Sequence, residues 1–145
     1  MIDKKGCTGC GACHNICPKN AITMQVDEEG FKYPVIDKEK CINCKLCEKI
    51  CPVLNKVKKE EQELTNVIAA YTKNDDERTL SSSGGIFFEL ADIILAKKGA
   101  IVGAGYDEKF NVVHKIIYNK EDLKELQGSK YVQSYTGMVY REIKE

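Results

Sequence analysis

The apolar positions of this chain gather in short runs separated by polar turns, and one run alone sustains a helical repeat. Ala21 to Val26 and Phe31 to Ile36 flank Asp27-Glu28-Glu29-Gly30, a turn signal with Gly where a left-handed backbone is expected, and so predict a β-hairpin. Residues 55–66 are rich in Lys, Glu and Gln with few apolar anchors, and read as a charged linker or an exposed helix. Val67 to Tyr71 reads as a short apolar strand, and Thr79 to Gly85 is polar and small. Gly85 to Lys98 then sets Ile86, Phe87, Leu90, Ala91, Ile94 and Leu95 at helical spacing, with Gly99 in the place of a C-terminal cap. Ala100 to Tyr106 and Val112 to Tyr118, joined by Asp107 to Asn111, predict a second hairpin with Val113, Lys115 and Ile117 on one face. Glu121 to Gln127 reads as a helix capped by Asn119, Tyr131 to Ser134 as a further short strand, and Met138 to Glu145 as the start of another helix.

Eight cysteines stand on either side of the first hairpin, in two copies of Cys-x-x-Cys-x-x-Cys-x-x-x-Cys-Pro. They are Cys7, Cys10, Cys13 and Cys17 before Pro18, and Cys41, Cys44, Cys47 and Cys51 before Pro52, related by one offset of 34. This is the bacterial ferredoxin spacing for four-iron clusters, in which the fourth cysteine of each run ligates the other cluster. One cluster is thus assigned to Cys7, Cys10, Cys13 and Cys51, and the other to Cys41, Cys44, Cys47 and Cys17. Thiolates at every third residue of a tight loop can take three corners of an iron-sulfur cube, leaving the fourth corner to a distant sulfur. Short helices should follow Cys13 and Cys47 and carry Cys17 and Cys51 across, which makes the module pseudo-twofold. Gly6, Gly9, Gly11 and Ala12 let the first loop wrap closely, whereas Ile42, Asn43, Lys45 and Leu46 make the second bulkier. The two clusters are therefore expected to differ in potential.

Three other readings compete. Zinc takes four ligands, commonly as two separated Cys-x-x-Cys pairs, and needs neither the third close cysteine nor the Cys-Pro. A disulfide framework needs an oxidising compartment, but Met1 to Cys7 is short, polar and charged, with no apolar signal segment. Clusters that serve only as structural staples are the third reading, which sequence does not exclude. His14, with four thiolates already available per cluster, reads as a surface side chain near a cluster and not as a ligand.

Charge narrows the choice of partner. The chain holds 22 Lys and Arg against 22 Asp and Glu, but each oxidised cluster with four thiolates carries roughly −2, which brings the loaded protein to about −4. An acidic redox face suits a basic surface on a redox protein or oxidoreductase subunit, and nucleic acid is not an expected partner. Lys56, Lys58 and Lys59 are answered at once by Glu60, Glu61 and Glu63, the pattern of a solvated segment. No apolar run approaches the ~20 residues of a membrane span; the longest candidate, Ile86 to Ala96, is broken by Glu89 and Asp92. A cytoplasmic protein is expected.

The fold class read from these elements is α+β: a ferredoxin-like 4Fe-4S module with pseudo-twofold symmetry over residues 1–54, a charged linker over 55–66, and an incomplete α/β domain over 67–145 with a βαββα order. At 145 residues, both parts are near the lower size limit for a domain. Because the last helical pattern stops at Glu145 without a cap, the chain reads as a fragment, a truncated reading frame, or a subunit completed by another chain.

A second candidate site precedes the long helix. Hydroxyls and flexible backbone at Ser81, Ser82, Ser83, Gly84 and Gly85 can hold an anion at a helix N-terminus, although on these residues alone ordinary capping by Ser82 or Ser83 is the commoner explanation. Gly128-Ser129-Lys130-Tyr131 is either a ligand loop or a plain turn.

Together, the twin cysteine runs, Ser-Ser-Ser-Gly-Gly-Ile-Phe-Phe from Ser81, Gly-Ala-Ile-Val-Gly-Ala-Gly-Tyr-Asp from Gly99 and Gly-Ser-Lys-Tyr-Val-Gln-Ser from Gly128 resemble the hydrogenase/dehydrogenase beta-subunit family named for the deazaflavin coenzyme F-420. The resemblance covers the whole chain, although family chains continue well past it. It implies an iron-sulfur flavoprotein that passes electrons between clusters, a flavin (FAD or FMN) and a second redox carrier, deazaflavin among them. On that resemblance Ser82, Ser83, Gly84, Gly85, Lys130 and Tyr131 become flavin-site candidates. Three functions follow in order: electron transfer through two 4Fe-4S clusters, which requires no catalytic acid, base or nucleophile; a flavin-dependent oxidoreductase; and a cluster-stapled interaction domain.

Overall fold

The structure, a computed structural model, describes residues 3–56 and 66–144. These fall into two compact units, one of residues 3–56 with 135–144, the other of residues 66–134.

In the first unit a 3-10 turn, Lys4–Gly6, leads to helix α1 (Ala12–Ile16), the antiparallel strands β1 (Ile22–Val26) and β2 (Lys32–Ile36), and helix α2 (Leu46–Lys49). The hairpin forms where alternation predicts it. Asp27 Oδ1 accepts from the amides of Glu29 (3.0 Å) and Phe31 (2.9 Å), and Gly30 takes φ +90. Lys4 Nζ, 2.8 Å from the Asp27 carboxylate, holds that carboxyl below its ordinary range. The register pairs Ile22 with Ile36 and Met24 with Pro34, so these four share one face. Among the described residues of this unit the buried apolar side chains are Ala21, Ile22 and Val139, a thin core.

Helix α3 (Asp75–Leu80) opens the regular structure of the second unit, followed by α4 (Ile86–Ala96), the antiparallel strands β3 (Ile101–Tyr106) and β4 (Val112–Ile117), and a 3-10 turn, Glu121–Glu125. Phe88 and Ala91 of α4 bury their side chains with Ile117, Leu123 and Leu126, flanked by Leu95 and Ile101. The α4 terminus is a Schellman closure: the amide of Lys98 bonds to Leu95 O (2.8 Å) and that of Gly99 to Ile94 O (3.0 Å). Lys98, at φ +60, holds the left-handed position expected of Gly99, which sits one residue later against Ile94. The second hairpin repeats the first turn's chemistry, with Asp107 Oδ1 accepting from the amides of Lys109 (2.9 Å) and Asn111 (2.8 Å).

Several expectations for the second unit are corrected. Residues 67–71 form no strand, because Val67 and Ile68 are almost fully exposed and nothing pairs with them in a sheet. Residues 131–134 are not a strand either, and the expected helix over 121–127 is the shorter 3-10 turn. Its N-cap is Lys120, without a side-chain cap, in place of the expected Asn119, whose Oδ1 accepts from Asp122 N at 3.0 Å one residue earlier. The order is therefore two helices and a hairpin instead of βαββα, and the sheet pairing among the described residues is antiparallel throughout. Helix α3 lacked a sequence expectation. Residues 135–144, read as the end of the second domain, pack in the first unit and carry helix α5 (Val139–Glu142). Most of the expected 55–66 linker lies outside the described residues. No helix among the described residues is long and apolar enough to cross a membrane.

Candidate metal centre

Each cysteine loop enters its helix through a left-handed residue. Gly9 and Gly11 have φ +66 and +73, and the residues 34 positions on, Asn43 and Lys45, have φ +53 and +61. Gly11 precedes α1 and Lys45 precedes α2, so in each loop a reversed backbone turns the third cysteine, Cys13 or Cys47, into a short helix. The helices thus contain these cysteines instead of following them. Each ends at or near the fourth cysteine, Cys17 or Cys51.

The eight thiols are free and surround two hollows. The first is lined by Cys7, Cys10 and Cys13 of one loop and by Cys47 and Cys51 of the other. The second is lined by Cys41, Cys44, Cys47 and Cys17. The hairpin floors both through its two-residue period: Met24 and Pro34 face the first hollow, Ile22 and Ile36 the second. Cys44 is exposed and the other seven thiols are half-buried.

These residues fit a pair of four-iron clusters. Each hollow has at least the four thiols a cluster needs, drawn from both loops, with Cys47 lining both. Among the described residues no three His, Cys, Asp or Glu side chains close on a single ion. The hollows' walls are largely apolar side chains and loop backbone, which limit water at the sulfurs. Burial pushes the Cys13 thiol up to about 11, with nearby Cys10 and Cys7 adding to the rise, so metal binding there must displace a proton. The Cys17 sulfur accepts the amide of Ala21 at 3.3 Å. His14 is half-buried, and its Nδ1 lies 2.5 Å from Ile22 O, where it ties α1 to β1 and stays apart from the thiol sets.

The residues from 135 onward close against the first loop. A Cβ on Gly11 would collide with Thr136 Oγ1, so glycine is required there by contact as well as by φ. Thr136 Oγ1 donates to Cys10 O at 3.3 Å, and the buried Asn15 donates through Nδ2 to Gly11 O (3.0 Å) and Gly137 O (2.8 Å). Arg141 reaches three acceptors: Nη2 donates to Cys17 O (2.6 Å), Nη1 to Asn20 Oδ1 (2.9 Å), and Nε to Asn15 O. The Lys32 ammonium lies 3.6 Å from the Tyr135 ring centre. A lone arginine some 120 residues downstream offers no sequence signal of this placement.

In the second unit the structure brings four of the six flavin-site candidates together. Ser82, Ser83, Gly84 and Gly85 line an open hollow, met across it by Gly128 and Ser129, with Ser82 Oγ 3.1 Å from Ser129 Oγ. The expected capping by Ser82 or Ser83 is absent: the α4 N-cap is Gly85 at φ +77, without a side-chain cap. Buried Thr72 fixes this loop, its amide bonding to Gly84 O at 2.7 Å and its hydroxyl donating to Glu89. Lys130 and Tyr131 do not line the hollow. Lys130 donates to Gln127 O at 2.8 Å, with burial lowering its pKa, and Tyr131 is 94% exposed.

Comparison with known proteins agrees with the cysteine geometry. Residues 6–55 match the family described as the 4Fe-4S dicluster domain. A protein of Methanocaldococcus jannaschii named as an uncharacterized ferredoxin is 41% identical over 33 residues, 23% of this chain and 43% of the relative. The chain thus spans less than half the length of that curated relative.

Proposed function

We propose that this chain is an iron-sulfur electron-transfer protein holding two 4Fe-4S clusters, one on Cys7, Cys10, Cys13 and Cys51, the other on Cys41, Cys44, Cys47 and Cys17. The observation that carries this reading is that each hollow gathers cysteines of both loops: Cys7, Cys10 and Cys13 meet Cys51 and Cys47 at one, and Cys41, Cys44 and Cys47 meet Cys17 at the other. Bound clusters supply reversible one-electron chemistry at potentials set by charge, hydrogen bonds and exposure. The chain itself fixes the sulfurs, limits water through Met24, Pro34, Ile22 and Ile36, and leaves Cys44 exposed toward a partner. The partner in this reading is a redox protein or oxidoreductase subunit with a basic face.

The test is iron, sulfide and flavin content of protein purified without oxygen, with visible spectra before and after dithionite. About eight iron per chain, bleached reversibly, is expected. Zinc without iron would refute the reading, and clusters reducible only with loss of structure would make them staples.

A flavin-dependent oxidoreductase of the coenzyme F-420 beta-subunit type is the second reading. It is favoured by the meeting of the Ser81–Gly85 loop with Gly128 and Ser129 around one hollow. Stoichiometric FAD or FMN in the same preparation would promote it; its absence would leave the cluster-only carrier.

A further inference from the structure

We infer that Arg141 is a positioning residue that sets the potential of the cluster assigned to Cys41, Cys44, Cys47 and Cys17. The inference rests on the proposed cluster assignment. Cys17 is the one thiol of that set supplied by the first loop. Its carbonyl accepts Arg141 Nη2 at 2.6 Å, while Nε and Nη1 hold the carbonyl of Asn15 and the side chain of Asn20 on either side. All three acceptors are neutral, so they fix the guanidinium in place without cancelling its charge. A guanidinium carries a full positive charge, and its rigid fork leaves it little freedom to swing away.

Reduction adds one negative charge to a cluster. A fixed cation a residue's length from a ligating sulfur favours the reduced form and raises its potential. The same contacts hold the carbonyl of the ligand residue itself, and with it the backbone that aims Cys17 across to the second loop. Thr136 and Asn15 tie the segment to Cys10 and Gly11, but through uncharged groups. The electrostatic effect therefore falls chiefly on the cluster that Cys17 holds.

The test compares the full-length chain with Arg141→Gln and Arg141→Lys by EPR-monitored redox titration after iron loading. Arg141→Gln should shift the reduction equilibrium of one cluster about tenfold toward the oxidised form, ~59 mV for a one-electron couple, and leave the other in place. The shifted signal should be the one that Cys17→Ser also alters. Arg141→Lys, which keeps the charge but loses the fork, should stay within a few-fold of the parent. Equal shifts of both clusters, no shift, or the same shift in Lys and Gln would overturn the assignment. If Arg141→Gln fails to hold both clusters, Arg141→Lys decides alone: a parental potential supports the role of charge, and a tenfold loss refutes it. Iron content separates this failure from that of the underlying reading, because a parent chain without about eight iron removes both.

Discussion

Replacing Cys51 with Ala puts the division of thiols between the hollows to the test. Cys51 follows α2 in the second loop, yet it lines the hollow of Cys7, Cys10 and Cys13. Removing it takes the fourth ligand from that cluster alone, so iron should fall from about eight to about four per chain. Cys17, Cys41, Cys44 and Cys47 then remain bound to metal and closed to alkylation, whereas the three thiols left behind react according to their thiolate fraction. They should not react alike. Burial pushes Cys13 up to about 11, so at pH 8 about one part in 10³ of it is thiolate. Cys7 and Cys10 therefore carry the signal. Brief anaerobic alkylation followed by peptide mass spectrometry should label those two first, Cys13 slowly, and the second set hardly at all. The exposed Cys44 is the most sensitive control. Labelling of Cys41, Cys44 and Cys47 with protection of Cys7 and Cys10 would mean that each loop keeps its own cluster, and would refute the crossed assignment. Cys17→Ala is the mirror experiment and should release the second set.

Leu123, 1% exposed among Phe88, Ala91, Ile117 and Leu126, should destabilise the second unit by about 3 kcal/mol when cut to Ala, seen as a lower denaturant midpoint. Lys98→Gly should stabilise it by about 1 kcal/mol, since Lys98 is exposed at φ +60 and both Schellman bonds are made by backbone; thermal melts read the gain. The Asp107 carboxyl is held below its ordinary value of 3.8, first by the Asn111 side chain and then by backbone amides. Its contribution is therefore present above that value and lost as pH falls through the lowered one, so Asp107→Asn should flatten the acid limb of β3–β4 hydrogen exchange. Iron chelation should abolish amide protection in β1 and β2 while β3 and β4 keep theirs, because the second unit has its own core.

Elements with strong local signals were legible before the structure. Both hairpins announce themselves through Asp-led turns between apolar runs, and α4 through apolar spacing over three turns. The grouping of three near cysteines at each hollow was legible, because the spacing of Cys-x-x-Cys-x-x-Cys brings neighbouring sulfurs round one space; the crossing of Cys17 and Cys51 is a proposal that rests on the ferredoxin spacing rule. Helix α3 carries a readable signal as well: Asn74 followed by Asp75, Asp76 and Glu77 is an N-cap with an acidic first turn, and Asn74 Oδ1 accepts from the amides of Asp76 and Glu77. The strand expected at 67–71 failed for a different reason. Apolar residues of that length specify a strand only when another edge is there to receive them, and Val67 and Ile68 are exposed. Of the Ser-Gly loop, sequence found the residues but not the cap, since Gly85 took the left-handed position that leaves Ser82 and Ser83 facing the hollow. No local pattern could assign residues 135–144 to the cysteine module, because that placement depends on long-range contacts: the three bonds of Arg141, the Thr136 bond to Cys10 O and the Asn15 bond to Gly137 O.

The thin core of the first unit explains why ligation, folding and potential are linked there. Ala21, Ile22 and Val139 are too few buried side chains to order a unit whose described residues include seven in left-handed conformation, among them Asn20, Asn43 and Lys45, which lack the freedom of glycine. Metal-sulfur bonds replace the missing apolar burial, since a site absent from the unfolded chain turns binding energy into folding energy. Each proposed cluster takes ligands from both loops, so loss of either removes a cross-link between α1 and α2 as well as an electron carrier. The hairpin then has one apolar face with two tasks, packing against the loops and limiting water at both hollows. Arg141 adds a polar closure to this arrangement where apolar packing gives out: it fixes the Asn15 and Cys17 carbonyls as α1 ends. A cation serves that end well, because the carbonyls of a helix C-terminus and an electron-accepting cluster both present negative charge to it.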